Sequence, residues 1–336
     1  MSLVTEDISL SNAAEWDAFL YSQSFHNAFQ SGALMLALKD NPFYRPIGRL
    51  FRNGINGEII GGYVAHIIQE IRGLGSIIGT RAIINGGPVV RKGAEEIMTK
   101  ILEDATHNRE LRGVYLEIWH GIDRTAFSNL FKKVGFAYSE HLNYLIDLSQ
   151  GKETLFQQIS KRKRQYIRKN TKLLKIRHVK SEDDFSAFYT QLVQTYRRVK
   201  VPLIEKNIFR EIQRAGIGWF LLAEHENEVV ACRAVLNFGK NLYDWYAGSS
   251  PLHSEMHAND SLVWWVLEQG AEQGYTRFDF GGAGKPDNPY GPREYKAKFG
   301  GKLVNYGRHR IILSPVRYLM LNAALKYREW LINLKQ

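Results

Sequence analysis

Residues 218–250, GWFLLAEHENEVVACRAVLNFGKNLYDWYAGSS, predict the run of strands that decides the fold class. The stretch is rich in β-branched and aromatic residues, which is typical of strands, and Glu226-Asn227 marks a turn that makes its first part a hairpin. A third strand is predicted over 240–250. Strands that follow one another with such short connections form an antiparallel meander.

Helices and strands alternate on both sides of this meander. Helices are predicted before it at 183–199 and 204–215. After it come a helix at 259–274, a strand at 276–283, a helix at 290–301 and a strand at 303–313. This order predicts an α/β domain with a mixed sheet flanked by helices.

The first half of the chain has the same order, which indicates an internal duplication. It begins with predicted helices at 11–23 and 30–39 and a meander at 45–90. These are followed by a helix at 93–108, a strand at 113–120, a helix at 124–136 and a strand at 141–148. Ser11 is the expected N-cap of the first helix, Gly135 the expected end of the helix at 124–136, and EIRGLG at 70–75 an expected turn.

The composition fits two folded domains. A chain of 336 residues that is 44% hydrophobic is too apolar for disorder and long enough for two domains of roughly 150 residues. We place them at 1–150 and 151–314, followed by a C-terminal helix at 315–336 that packs back on the structure.

Cys232 is the only cysteine, the acidic start MSLVTEDISL is unlike a signal peptide, and no apolar run reaches about 18 residues. We expect a soluble, monomeric, cytoplasmic protein.

Basic residues outnumber acidic ones, which gives a formal charge of +11 and favours anionic partners. The densest basic stretch is SKRKRQYIRKNTK at 160–172, predicted to be a helix with cations on more than one face. Nucleic acid requires such an electrostatic footprint, whereas the alternative is a solvated helix face. The segment 315–336 mixes basic and apolar residues, so its helix either packs on the protein or rests on an anionic membrane surface.

Short motifs occur in a fixed order along the chain. They are FQSGALMLALK at 29–39, GGPVV at 86–90, LFKKVGF at 130–136, the basic run, DFGGAG at 279–284 and YKAKFGG at 295–301. Together they resemble the FemABX family of aminoacyl-transferases, which implies two tandem GNAT-like domains, each with a V-shaped opening in its sheet after the fourth strand. Nothing between residues 180 and 220 is long enough for the helical arm of larger members, so the chain resembles the compact FemX type.

The resemblance implies a reaction. The family moves an amino acid from aminoacyl-tRNA to the amine of the stem peptide of a peptidoglycan precursor. The FemX type is associated with UDP-MurNAc-pentapeptide and other members with lipid-linked precursors. Because the aminoacyl ester is already activated, the enzyme needs only to position the reactants, deprotonate the amine and stabilise an oxyanion. We therefore expect no cofactor and no metal.

The resemblance also implies binding residues. Lys296, before the Phe-Gly of YKAKFGG, matches a lysine implicated at the aminoacyl end of the tRNA. Lys39 matches a lysine that contacts the phosphates of the nucleotide precursor, and either Arg197 or Arg198 matches an arginine that does the same. Each of these cations is also typical of a solvated helix surface.

The basic run and one aromatic residue supply further candidates. Arg164, Arg168 and Lys169 are candidate contacts to tRNA phosphates, which would position the tRNA without reading its sequence. Tyr246 is a candidate substrate contact, although aromatic residues that alternate along a strand are also typical of a core.

Asp279 and Asp244 are candidates to accept the proton of the incoming amine, and both are equally suited to orient backbone amides in turns. QRAGIG at 213–218 fits the pyrophosphate loop of enzymes that use acyl-CoA, but its glycines follow a predicted helix where such a loop would open one. Acyl-CoA is therefore disfavoured as the donor. Two alternatives stay open: a divergent GNAT-type N-acyltransferase with another activated donor in polysaccharide or lipid assembly, and a non-catalytic RNA- or membrane-binding relative.

Overall fold

The computed structural model describes residues 2–41, 44–69, 79–111 and 113–333 and folds the chain into two compact units. The first unit comprises Met1–Glu140 and Tyr306–Gln336, and the second His141–Asn305. Within the described ranges, no helix combines the length and the apolar character needed to cross a bilayer. The turn predicted at 70–75 lies outside the described residues.

The first unit is built on a mixed sheet. Its strands in this part of the chain are β1 (Leu3–Asp7), β2 (Tyr44–Asn53), β3 (Ile59–Gln69), β4 (Thr80–Gly86), β5 (Val89–Val90), β6 (Tyr115–His120) and β7 (Ala137–Ser139). β1 to β4 form an antiparallel meander, and β4 runs parallel to β6. The strand β1 precedes the first helix, so the prediction that two helices open the chain is wrong. Its short sequence LVTED is mostly exposed and lacks a clear apolar alternation.

Helices cover this sheet. They are α1 (Ala13–Tyr21), α2 (Gly32–Leu38), α3 (Met98–His107) and α4 (Ser128–Val134). The N-cap of α1 is Asn12 and not the predicted Ser11, because the carbonyl of Asn12 accepts the N–H of Trp16. The predicted end of α4 is confirmed: Gly135 has φ +101°, a left-handed conformation that glycine adopts without strain.

The second unit contains a seven-stranded mixed sheet. Its strands are β8 (Leu142–Asp147), β9 (Lys175–His178), β10 (Gly218–His225), β11 (Glu228–Phe238), β12 (Asn241–Ser249), β13 (Arg277–Gly282) and β14 (Lys302–Asn305). Their order is β14-β8-β13-β12-β11-β10-β9. The predicted meander of 218–250 is confirmed as β10, β11 and β12, and β12 runs parallel to β13.

Six helices flank this second sheet. They are α5 (Lys152–Gln158), α6 (Lys161–Asn170), α7 (Glu182–Arg198), α8 (Lys206–Arg214), α9 (Ala258–Glu272) and α10 (Gly291–Ala297). α7 and α9 pack on β11 and β12, and α5 and α6 pack on α9. Gly216 follows α8 with φ +69°, so QRAGIG ends a helix as predicted.

Two strands belong to a different unit from the one in which they were expected. β8 was expected in the first domain, yet it pairs with β13 and β14 of the second unit. A strand β15 (Arg308–Ile312), expected in the second domain, pairs with β6 and β7 of the first. Because each strand belongs to the unit in whose sheet it pairs, the boundaries between the units lie after residues 140 and 305. The expected boundaries lay after residues 150 and 314. The C-terminal helix α11 (Pro315–Asn333) belongs to the first unit.

Candidate active site

Lys296 lies on α10, a short helix whose limits are set by its local sequence. Pro292 stands in the first turn, where no helical partner exists for its missing N–H. Gly300 and Gly301 follow the helix with φ of +81° and +87°, which other residues rarely adopt. The Nζ atom of Lys296 donates a 2.8 Å hydrogen bond to the carbonyl oxygen of Gly282, the last residue of β13. The helix thereby holds an ammonium at the end of an inner strand.

The parallel pairing of β12 with β13 is interrupted close to this lysine. It spans only residues 241–243 and 277–279, although β12 continues to Ser249 and β13 to Gly282. β12 also carries a bulge at Trp245, which has no counterpart on β11. A bulge re-aims the side chains around it and is common next to active sites. The carboxyl ends of β12 and β13 are therefore not tied to each other.

The first unit lacks this interruption. There β4 and β6 pair without a break from Ala82 and Leu116 to Gly86 and His120, the last residue of each strand. The parallel strands of the first unit are therefore paired up to their carboxyl ends, and those of the second unit are not.

Charged side chains surround the Lys296 ammonium. Burial lowers the pKa of Lys296, while the carboxylates of Asp244 and Asp279 act against this shift. Arg233 lowers the pKa further. The structure thus brings together Lys296 and Asp279, the two residues predicted to be catalytic, and the carboxylates favour the charged form of the lysine.

Two hydrogen bonds and one ion pair hold Asp279. Its Oδ1 atom accepts the backbone N–H of Gly281 at 2.8 Å and the side-chain amide of Asn143 at 3.4 Å. Nη2 of Arg277 lies 3.8 Å from Oδ2. Burial raises the pKa of Asp279, and Arg277 opposes that rise. Asp279 therefore orients a turn, one of its two predicted roles, and its raised pKa also suits the other, proton acceptance.

Sequence reasoning missed Arg233. This residue is 2% exposed on β11, and it donates one hydrogen bond to Asp244 Oδ1 and another, of 3.4 Å, to Asn259 Oδ1. Burial lowers the pKa of Arg233, but Asp244, Tyr295 and Cys232 together act against burial and raise it. The signal in the sequence was a single arginine inside the apolar run at 229–238. Asp244, a candidate proton acceptor, is thus engaged in a buried ion pair.

Lys163 was also missed, although it lies in the basic run. It is 7% exposed, and its Nζ atom donates a 2.5 Å hydrogen bond to Asp260 Oδ1. The same atom lies 4.0 Å from the ring centre of Tyr295 and 4.6 Å from that of Phe299, a cation–π arrangement. Burial lowers the pKa of Lys163, and Asp260 opposes this shift. One buried ammonium therefore joins α6 to α9 and to the helix that carries Lys296.

The candidate tRNA contacts lie on the remaining surface of α6. Arg168 and Lys169 are exposed, and the guanidinium of Arg168 lies 5.2 Å from the ring centre of Phe156. Arg164 is half-buried and donates to the carbonyl oxygen of Gln157 at 3.1 Å and to its side-chain oxygen at 2.6 Å. The basic run thus has one buried lysine and an exposed basic face.

Arg197 and Arg198 end α7 and are both exposed. The two terminal nitrogens of Arg198 lie 3.5 and 3.4 Å from the carbonyl oxygen of Ser249 at the end of β12. Lys39 is the exposed C-cap of α2 and belongs to the first unit.

Tyr246 lies on β12 in an aromatic cluster. The centre of its ring is 5.3 Å from that of Tyr196, 5.0 Å from that of Phe209 and 4.9 Å from that of Trp245. This packing matches the core alternative for the residue and leaves its predicted substrate contact a proposal.

Comparison with known proteins places this geometry in a fold family. Residues 157–297, which include Lys296, match the family model described as an acetyltransferase (GNAT) domain. No curated protein sequence matches the chain significantly.

Solved structures match over almost the whole length. FemX is 16% identical with a TM-score of 0.73, covering 94% of this chain and 99% of its own. A tandem GNAT protein from the clavulanic acid biosynthesis pathway is 11% identical with a TM-score of 0.59, covering 94% and 99%. L-PGS from Bacillus licheniformis is 15% identical with a TM-score of 0.54, covering 91% and 92%. Residues 157–297 are therefore similar to a GNAT domain, and the chain as a whole shares its fold with FemX and with a tandem GNAT protein.

Proposed function

We propose that the chain is an aminoacyltransferase that moves an amino acid from aminoacyl-tRNA to an amine on the stem peptide of a peptidoglycan precursor. The observation that carries the proposal is the Lys296 ammonium, held 2.8 Å from the Gly282 oxygen where the parallel pairing is interrupted. The GNAT match over 157–297 and the fold shared with FemX and L-PGS support an acyltransfer role.

The reaction needs few groups. The amine nitrogen of the acceptor attacks the carbonyl carbon of the aminoacyl ester, and the carbonyl oxygen becomes an oxyanion. Lys296 stabilises that oxyanion, since a preorganised cation acts most strongly where charge develops. Collapse forms the amide bond and breaks the ester bond. Asp279, with a pKa raised by burial, takes the proton lost by the amine and returns it to the ribose oxygen that leaves with the tRNA.

The first turn of α9 disfavours acyl-CoA as the donor. In a pyrophosphate site this helix N-terminus would offer backbone N–H groups and the positive end of the helix dipole to the phosphates. Here the first turn carries its own carboxylate, Asp260, which is 3% exposed and paired with Lys163. The segment that leads into this turn, SSPLHSEMHANDS at 249–261, also lacks the glycine pattern of a pyrophosphate loop, so these residues do not fit that group.

The binding residues are proposals of the same kind. Arg168, Lys169 and Arg164 contact tRNA phosphates. Arg197 or Arg198 contacts the phosphates of UDP-MurNAc-pentapeptide or of a lipid-linked precursor, which suits a guanidinium, and Lys39 is a separate candidate for a phosphate contact. Tyr246 contacts the substrate.

The GNAT family match favours one second candidate, an N-acyltransferase that uses a different activated donor. A paired donor assay separates the two. The full chain is incubated with UDP-MurNAc-pentapeptide and either tRNA charged with a labelled amino acid or acetyl-CoA, and product amide, free tRNA and free thiol are measured.

Label in the pentapeptide, with stoichiometric release of tRNA, supports the proposal, and Lys296→Met is the control that must abolish it. Because the transferred amino acid is unidentified, tRNA charged with each of the 20 standard amino acids is tested. Thiol release with product formation favours the second candidate, and no product from either donor rejects both reactions for this acceptor.

A further inference from the structure

Among its described side chains, the helix α11 packs on the protein through one side. Leu321 is 3% exposed and forms a small buried cluster with Val114 and Tyr115 next to β6. Tyr318, one helical turn away, packs edge-on against Tyr115 with ring centres 6.1 Å apart. Its hydroxyl lies 3.4 Å from Nη1 of Arg310 on β15. The helix is thus anchored to the first unit through its residues 318 and 321.

The opposite side of α11 carries an apolar stripe that the described protein leaves exposed. The five large side chains of this stripe are between 52% and 69% exposed: Val316, Leu319, Met320, Tyr327 and Trp330. Their spacing of three or four residues, continued by exposed Ala323, places them within one arc of about 100°. Scattered apolar residues are normal on a surface, but a continuous stripe marks an interaction site.

The character of the stripe indicates its partner. Arg317 and Lys326 are exposed and flank the stripe, one on each side by helical position. Tyr327 and Trp330 stack at one end with ring centres 5.7 Å apart. Tyrosine and tryptophan have an apolar body and a polar tip, which suits the boundary between water and lipid.

We propose that α11 docks the first unit on an anionic phospholipid bilayer, with the stripe in the interface and its axis along the membrane plane. An in-plane helix of this kind combines an apolar face with flanking cations that meet anionic headgroups. A second copy of the chain would bring the same cations together across a symmetric contact, which like-charge repulsion opposes. The inference goes beyond the transfer reaction and does not depend on it.

The test uses the full chain and vesicles of two compositions, phosphatidylcholine alone and phosphatidylcholine mixed with phosphatidylglycerol. We expect co-sedimentation with the mixed vesicles at low salt and much weaker binding to the neutral ones. Leu319→Glu with Tyr327→Glu should abolish binding, because each carboxylate would enter the interface. Arg317→Glu with Lys326→Glu should weaken it about twentyfold or more, since each cation near an anionic surface contributes roughly fivefold.

The matched control is Ile55→Glu with Leu252→Glu, two side chains that are 86% and 83% exposed on other parts of the surface. This pair adds the same charge and should bind vesicles only slightly less than the wild type. The proposal is overturned if the wild type does not co-sediment with mixed vesicles. It is equally overturned if the control pair Ile55→Glu with Leu252→Glu loses as much binding as Leu319→Glu with Tyr327→Glu. It is also overturned if sedimentation velocity shows a dimer that Leu319→Glu with Tyr327→Glu dissociates. Transfer to a soluble acceptor should be unchanged in the stripe variant, which keeps this test independent of the proposed function.

Discussion

Lys163 and Asp260 form a buried ion pair that lies next to the helix of the candidate catalytic lysine. The distance from Nζ to Oδ1 is 2.5 Å, and the two residues are 7% and 3% exposed. The ammonium also faces the rings of Tyr295, which precedes Lys296 on α10, and Phe299, which follows the helix. Three segments distant in sequence therefore depend on one lysine.

The first prediction concerns this pair. Lys163→Met leaves the Asp260 carboxylate buried without its partner, so the free energy of unfolding should fall by about 3–5 kcal/mol. Urea unfolding at neutral pH measures the change. Lys161→Met, an exposed site on the same helix, is the control and should change stability by less than about 0.5 kcal/mol. Adding Asp260→Asn to Lys163→Met should recover part of the loss, and a double variant no more stable than Lys163→Met would contradict the ion-pair explanation.

The second prediction concerns Lys296. Lys296→Met should reduce the rate of aminoacyl transfer about a hundredfold or more, the scale for losing one oxyanion partner, and leave acceptor affinity nearly intact. Lys298→Met is the control, because Lys298 is the exposed C-cap of α10, two residues after Lys296. Single-turnover rates and equilibrium binding of the acceptor separate the two effects. Equal losses in both variants would mean that the charge of α10, and not the position of Lys296, matters.

The third prediction is a pH dependence. Burial lowers the pKa of Lys296 below the 10.5 of an exposed lysine. A lysine that stabilises an oxyanion must be protonated, so transfer should slow as the pH rises through this lowered pKa. Lys296→Arg, slower at neutral pH, should lack this alkaline decline because a guanidinium stays charged. Initial rates corrected for spontaneous ester hydrolysis give both profiles, and a decline that persists in Lys296→Arg assigns it to another group.

The fourth prediction tests the exposed face of α6. Arg168→Glu with Lys169→Glu should weaken tRNA binding and reduce the slope of log affinity against log salt by roughly 0.7–0.9 for each phosphate that the protein no longer neutralises. Lys132→Glu with Lys133→Glu on α4 makes the same change in net charge at two exposed positions of the first unit. If both pairs lower the slope equally, net charge and not a local tRNA contact explains the binding.

Local patterns predicted most elements of the fold. The meander of 218–250, the left-handed glycines after α4 and α8, and the repeated order of helices and strands are all read from short-range signals. Turn residues and apolar periodicity act within about one element, so they are visible in the sequence. The strand β1 was missed because its pattern is too short and too exposed to stand out.

Pairing between distant strands was not predictable in the same way. β8 and β15 were recognised as strand segments, but each pairs in a different sheet from the one expected. Which sheet a strand completes depends on edges that only exist once the other strands have assembled. The pairing of β12 with β13 ends early, whereas β4 and β6 pair without a break. This difference also depends on how the strands assemble.

The sequence by itself determined the class of fold, the duplicated order and the motif that singled out Lys296, because each rests on residues close together in the chain. Only the tertiary structure decided which cations of the basic run face solvent and which one is buried. Lys163 and its exposed neighbours are indistinguishable by residue type. The difference between them arises from Asp260, nearly a hundred residues away, whose carboxylate and surrounding aromatic rings make a buried ammonium stable where an unpaired one would be expelled to water.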